Sequence, residues 1–95
     1  MPPQSRLGDI ATGHGCFPPN NITSASGNVN INSRGAARQG DALSVHCCGP
    51  SCHGSSIVGA SSTVNINSRG AARVTDAIDC GEFVAEGSGN VITGG

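Results

Sequence analysis

The clearest alternation of apolar and polar residues in this chain is Val29-Asn30-Ile31-Asn32, a period of two over four positions. That period sets Val and Ile on one side of an extended backbone and predicts a half-buried β-strand with both facing inward. The strand opens a ten-residue segment, VNINSRGAAR at 29–38, that returns letter for letter 35 positions later at 64–73. In each copy Ser-Arg-Gly follows the strand. Gly35 and Gly70 stand where a tight hairpin turn would need positive φ, and Ala-Ala-Arg reads as the returning strand. Each copy is expected to be a β-hairpin ending in Arg-x-x-Asp.

That ending occurs three times, as Arg6-Leu7-Gly8-Asp9, Arg38-Gln39-Gly40-Asp41 and Arg73-Val74-Thr75-Asp76. It divides a single domain, 1–95, into units of approximately 1–37, 38–72 and 73–95, a spacing typical of a repeated supersecondary unit. Each unit runs through a Gly- and Ser-rich loop into a β-prone stretch, the last being Gly89-Asn90-Val91-Ile92. No segment carries a three-to-four-residue apolar period, and Pro2, Pro3, Pro18, Pro19 and Pro50 all lie outside the expected strands. The expected fold is therefore all-β: three β-hairpin repeats with pseudo-threefold symmetry, their loops converging at one end. Within each unit the Arg and Asp could form a modest surface pair. Threefold recurrence favours a structural role, with Asp accepting turn amides and Gly8 and Gly40 supplying the turn backbone. Thr75 replaces that glycine, so the third turn is expected to differ.

Composition makes an apolar core alone insufficient. A chain of 95 residues buries only about 60–65% of its unfolded surface, and this one has two Phe, no Trp or Tyr, and fifteen Gly. The formal charge of −1, with five Arg and no Lys, supplies no phosphate-neutralising surface, which argues against nucleic acid as a partner. The N-terminus lacks the apolar stretch of a signal peptide, and no run is long enough to span a membrane as a helix. The expectation is a protein made in the cytoplasm and kept there, or exported without a cleavable signal. Five Cys is an odd number, and without a secretory signal they read as thiols or metal ligands rather than a disulfide framework; a Cys48–Cys52 disulfide is the alternative.

The repeat phase singles out a ligand set. His14 lies five residues after Asp9, His46 five after Asp41, and Cys80 four after Asp76. If the units are spatially equivalent these side chains meet near the axis, and His53, across the 47–53 loop, can supply a fourth. Three His and one Cys suit a tetrahedral zinc site, with iron(II) the next candidate. Structural zinc contributes about 10–16 kcal/mol of apparent binding free energy, comparable to the whole stability of a typical domain at about 5–15 kcal/mol. The bland reading is a set of solvated loop histidines. A rival site would use Cys47, Cys48, Cys52 and His53, but it lacks a second matching cluster, and Cys16 and Cys47 read instead as small packing residues.

These residues resemble the proline-alanine-alanine-arginine (PAAR) repeat family, which caps the membrane-puncturing spikes of type VI secretion systems and contractile phage tails. The name motif stands here as Gly35-Ala36-Ala37-Arg38 and Gly70-Ala71-Ala72-Arg73, with Gly in place of Pro, and the opening Arg6-Leu7-Gly8-Asp9 with His14-Gly15 follows the same pattern. The resemblance implies a small conical domain of β-hairpins whose metal site near the vertex is built from His14, His46, His53 and Cys80. It implies that the wide base binds one trimeric β-helical spike, VgrG-like or of the phage tail-spike kind, one tip per trimer. Effector cargo and transient contact with a target membrane go with that role. With no further domain after the third unit, the chain reads as a minimal tip: made in the bacterial cytoplasm, assembled into the spike, and delivered across the target envelope.

Two other functions compete. An enzyme would leave one metal position open to water, but there is no His-Glu-x-x-His, and neither Glu82 nor Glu86 stands at a recognisable spacing from the histidines to act as a base. A free-standing zinc-binding adaptor or regulatory protein would share the ligands but bind something other than a spike.

Overall fold

The computed structural model describes residues 2–95. Its strands are β1 (Asn30–Ile31), β2 (Arg34–Gly35), β3 (Ala42–Cys48), β4 (Ser51–Ser56), β5 (Asn65–Ile66) and β6 (Arg69–Gly70), paired as three antiparallel hairpins; no helix occurs among the described residues.

The repeated decamer forms β1–β2 and β5–β6, in the registers Asn30↔Gly35 and Asn65↔Gly70. The turn is not where the glycine suggested. Asn32 (φ 53°) and Ser33 (φ 67°) make it, and Asn67 and Ser68 repeat it at 53° and 66°. Two successive residues of positive φ match the right-handed twist of the flanking strands, and Asn tolerates that region better than most. Gly35 and Gly70 sit in the returning strands instead. They are needed for close approach: a Cβ on Gly35 would lie 2.6 Å from the Ser26 carbonyl oxygen, and one on Gly70 2.8 Å from that of Ser61.

The third unit does not form a hairpin of its own, as the even repeat had suggested. Residues from the two ends of the chain build the equivalent pair: Ile92 bridges Pro3, the Thr93 amide donates to the Pro2 carbonyl, and the Gln4 amide donates to the Val91 carbonyl. The bonds Ala36 to Val29 and Ala71 to Val64 are the same contact in the other units, all three at 2.9 Å. Pro3-Gln4-Ser5-Arg6 therefore occupies the place of Gly35-Ala36-Ala37-Arg38.

At the axis three amides form a closed ring. Ser5 donates to the Ala72 carbonyl, Ala72 to Ala37, and Ala37 back to Ser5, each at 3.0 Å. All three residues are fully buried, and only small side chains leave room for three backbones to meet. Two of the ring residues, Ala37 and Ala72, belong to the main core with Ala11, Ile22, Leu43, Ile57, Ile78 and Val84, against which Cys80 packs; Ala36, Ala71 and Ile66 form a separate cluster with Val29 and Ile31. Val29, Ile31 and Ile66 thus face inward as alternation predicted, while Val64 is exposed.

Each Arg-x-x-Asp is a closed turn rather than a surface pair. The Asp9 carboxylate accepts the Arg6 amide at 2.8 Å and both Nε and Nη2 of its guanidinium at 3.0 Å; Asp41 and Asp76 repeat this with Arg38 and Arg73. These hydrogen bonds to carboxylate raise the pKa of all three arginines. Thr75 takes φ 79°, close to Gly8 at 87° and Gly40 at 88°, so the third turn keeps the same form despite its side chain, contrary to expectation.

The longest hairpin, β3–β4, spans what the sequence presented as loop. A register shift between Leu43 and His46 breaks the alternation that would have revealed it. Within it Cys47 faces Cys52 in register and the two are disulfide-bonded, with Cα atoms 4.1 Å apart. Neighbouring strand residues point to opposite faces, so Cys48 turns away from Cys52 and pairs with Cys16 instead. The expectation of free thiols is thereby corrected for four of the five cysteines, and the Cys48–Cys52 pair and the rival Cys47–Cys48–Cys52–His53 site both fall.

Candidate metal centre

His14 ends the segment that follows the first Asp turn, in a tight turn closed by the His14 amide to the Phe17 carbonyl (3.1 Å) and the reverse bond (2.8 Å). His46 and His53 face each other across β3 and β4, and Cys80 lies in the turn after Ile78. One ligand atom from each of the four lies within 4.8 Å of every other, so the three residues that share a repeat position come together, and His53 joins them from across the hairpin.

The imidazoles point inward by their Nε2 atoms: His14 Nε2 lies 3.2 Å from that of His46 and 3.2 Å from that of His53. Their Nδ1 atoms are committed outward, His46 to the Pro18 carbonyl at 2.8 Å and His53 to the Gly54 carbonyl at 3.0 Å. A carbonyl has no hydrogen to give, so each Nδ1 is the donor, and in the neutral imidazole each of those two Nε2 atoms is the acceptor. His14 Nε2 stands 3.2 Å from both of these acceptors, a place that a proton on His14 or a metal ion can fill. Tetrahedral zinc bound at about 2.0–2.1 Å sets its nitrogen ligands about 3.3–3.4 Å apart, close to the spacing found. The donor set, three borderline nitrogens and one soft sulfur, fits zinc or iron(II).

Cys80 is the one unpaired cysteine among the described residues. Burial pushes its thiol pKa up, and the Glu82 carboxylate that accepts its hydrogen at 3.3 Å adds to the rise. A metal here would have to displace that proton. Glu82 is itself buried, and its other oxygen accepts the Gly13 amide at 2.7 Å, tying the His14 segment to the Cys80 turn. Neither Glu82 nor the Pro18 carbonyl was singled out by the sequence, because both act through fold contacts that spacing does not encode.

A small all-β body with internal threefold bonding and a single cluster of three imidazoles and one thiol defines a repeat-built structural domain. The family model described as PAAR motif matches residues 49–95. The chain belongs to the PAAR-repeat proteins, a structural family of spike-tip type found in contractile injection systems. No curated protein matches it.

Proposed function

We propose that this chain caps a trimeric β-helical spike, one tip per trimer, and sharpens it for membrane puncture by a contractile machine. The observation that carries the reading is the closed ring of Ser5, Ala37 and Ala72. It gives one chain a threefold-symmetric backbone, the symmetry a trimer end presents. The β1–β2 and β5–β6 hairpins and the paired ends at Pro3 and Ile92 surround that axis, with Val64 39% and Ile92 58% exposed. They form the docking base, by backbone pairing and apolar contact.

His14, His46, His53 and Cys80 would hold the metal, zinc before iron. It would supply a structural cross-link joining segments from all three units where the core is thin. The protein would be made in the bacterial cytoplasm, assembled onto the spike and delivered with it, with or without effector cargo. Mixing the metal-loaded protein with a truncated trimeric spike at micromolar concentration should yield a complex of one chain per trimer on size exclusion. No complex would overturn the reading in favour of the free-standing adaptor.

A further inference from the structure

Phe17 is one of two phenylalanines in the chain, and its ring touches every imidazole of the cluster. It stacks on His14 with centroids 4.7 Å apart and planes 20° from parallel, meets His53 edge-on at 4.5 Å, and lies 5.0 Å from His46. The other, Phe83, is half exposed and takes no part in these contacts.

The chain is shaped to seat this ring. Gly13, at φ 77°, runs so close to the segment beyond that a Cβ would lie 2.7 Å from the Phe17 carbonyl oxygen and 2.9 Å from Pro19 N. Cys16, inside the turn, is bonded to Cys48 at the end of β3. The residue after Phe17, Pro18, accepts the His46 Nδ1 hydrogen at its carbonyl. One short segment thus contributes a ligand, holds the Nδ1 of a second, and sets an apolar ring in contact with all three imidazoles.

We propose that Phe17 is a positioning residue that keeps the three imidazoles convergent and so governs how fast a bound metal leaves, not how many bind. This rests on the metal reading above. A metal escapes such a site by successive ligand departures, each needing an imidazole to swing aside and water to take its place. A flat ring against all three removes the room for that swing, and its apolar surface excludes the water. Having no hydrogen-bonding atom, Phe cannot itself compete for the Nε2 lone pairs.

The test uses the full chain loaded with zinc and chased with an excess of a coloured chelator. Phe17→Ala should release zinc at least about tenfold faster than the parent while still loading to one atom per chain, and Phe17→Leu, apolar but not flat, should fall between. With cobalt(II) in place of zinc, the ligand-field bands of both variants should broaden or shift. Ile57→Val, a core substitution outside the four candidate ligands, should alter neither rate nor bands. Release from both Phe17 variants at the parental rate would overturn the proposal, as would equal acceleration by Ile57→Val. Should Phe17→Ala not fold, Phe17→Leu carries the same test. A parent chain that takes up no metal would instead sink the metal reading itself.

Discussion

The guanidinium of Arg69 reaches Asp41 at 3.0 Å by passing over Gly40, where an added Cβ would stand 3.2 Å from its Nη2 atom. Arg34 passes over Gly8 to Asp9 in the same way, at 2.9 Å. Among the described residues Asp76 is paired with Arg73 alone, and there the residue before the aspartate is Thr75. Glycine accompanies the second arginine, and a side chain stands where that arginine is missing.

Gly40→Ala and Thr75→Gly should therefore move stability in opposite directions. The first places a side chain at φ 88° against Arg69 and is expected to cost about 1–3 kcal/mol. The second releases a β-branched residue from φ 79° and should gain about 1 kcal/mol, or about 4–8 °C in melting temperature. Thermal unfolding of the two variants checks both.

The aspartates are predicted to be unequal. Among the described residues the Asp41 carboxylate accepts bonds from Arg38, Arg69 and Ser24, and that of Asp76 from Arg73 only. Removing one partner of a buried charge network leaves the rest uncompensated, at about 3–5 kcal/mol. Asp41→Asn should approach that figure and Asp76→Asn should fall well short of it in urea unfolding. Equal losses would mean that Arg69 contributes nothing.

For the metal centre, Cys80→Ser and His14→Ala should each bring metal content below about half an atom per chain by elemental analysis. Given about 10–16 kcal/mol for a structural metal, each should lower the melting temperature by at least about 20 °C. Unchanged content and melting would remove these residues from the ligand set.

The disulfides should differ in weight. Cys16 and Cys48 are 32 residues apart and Cys47 and Cys52 only 5, so loop entropy assigns about 3–4 kcal/mol to the first and about 2 kcal/mol to the second. The paired substitutions Cys16→Ser with Cys48→Ser and Cys47→Ser with Cys52→Ser, compared by urea unfolding, test that order.

The sequence carries the threefold repeat and the phase that brings His14, His46 and Cys80 together, because identical segments fold alike and fixed offsets put unlike residues at like positions. His53 is reached only by its nearness to His46 in the chain; the pairing that sets them face to face lies hidden in β3, where the shift after Leu43 erases the period. Spacing misreads the disulfides for the same reason, since which face Cys47 and Cys48 occupy depends on a strand that no period reveals. Thr75 misleads because residue type suggests a different backbone, whereas the bonds around Asp76 impose the same one. The closing pair at Pro3 and Ile92 joins positions too far apart for any local pattern to link.

That closing pair also sets the order in which the molecule can come into being. During synthesis Ser5 emerges first, yet its carbonyl partner at the end of the second unit, Ala72, and the Val91 carbonyl that takes the neighbouring Gln4 amide are made later. Contacts spanning nearly the whole chain slow folding and make it cooperative. A nascent chain stopped short of residue 91 would lack one of three equivalent sides, and an axis closed on two sides is still open. The domain is therefore completed only after its closing segment has left the ribosome.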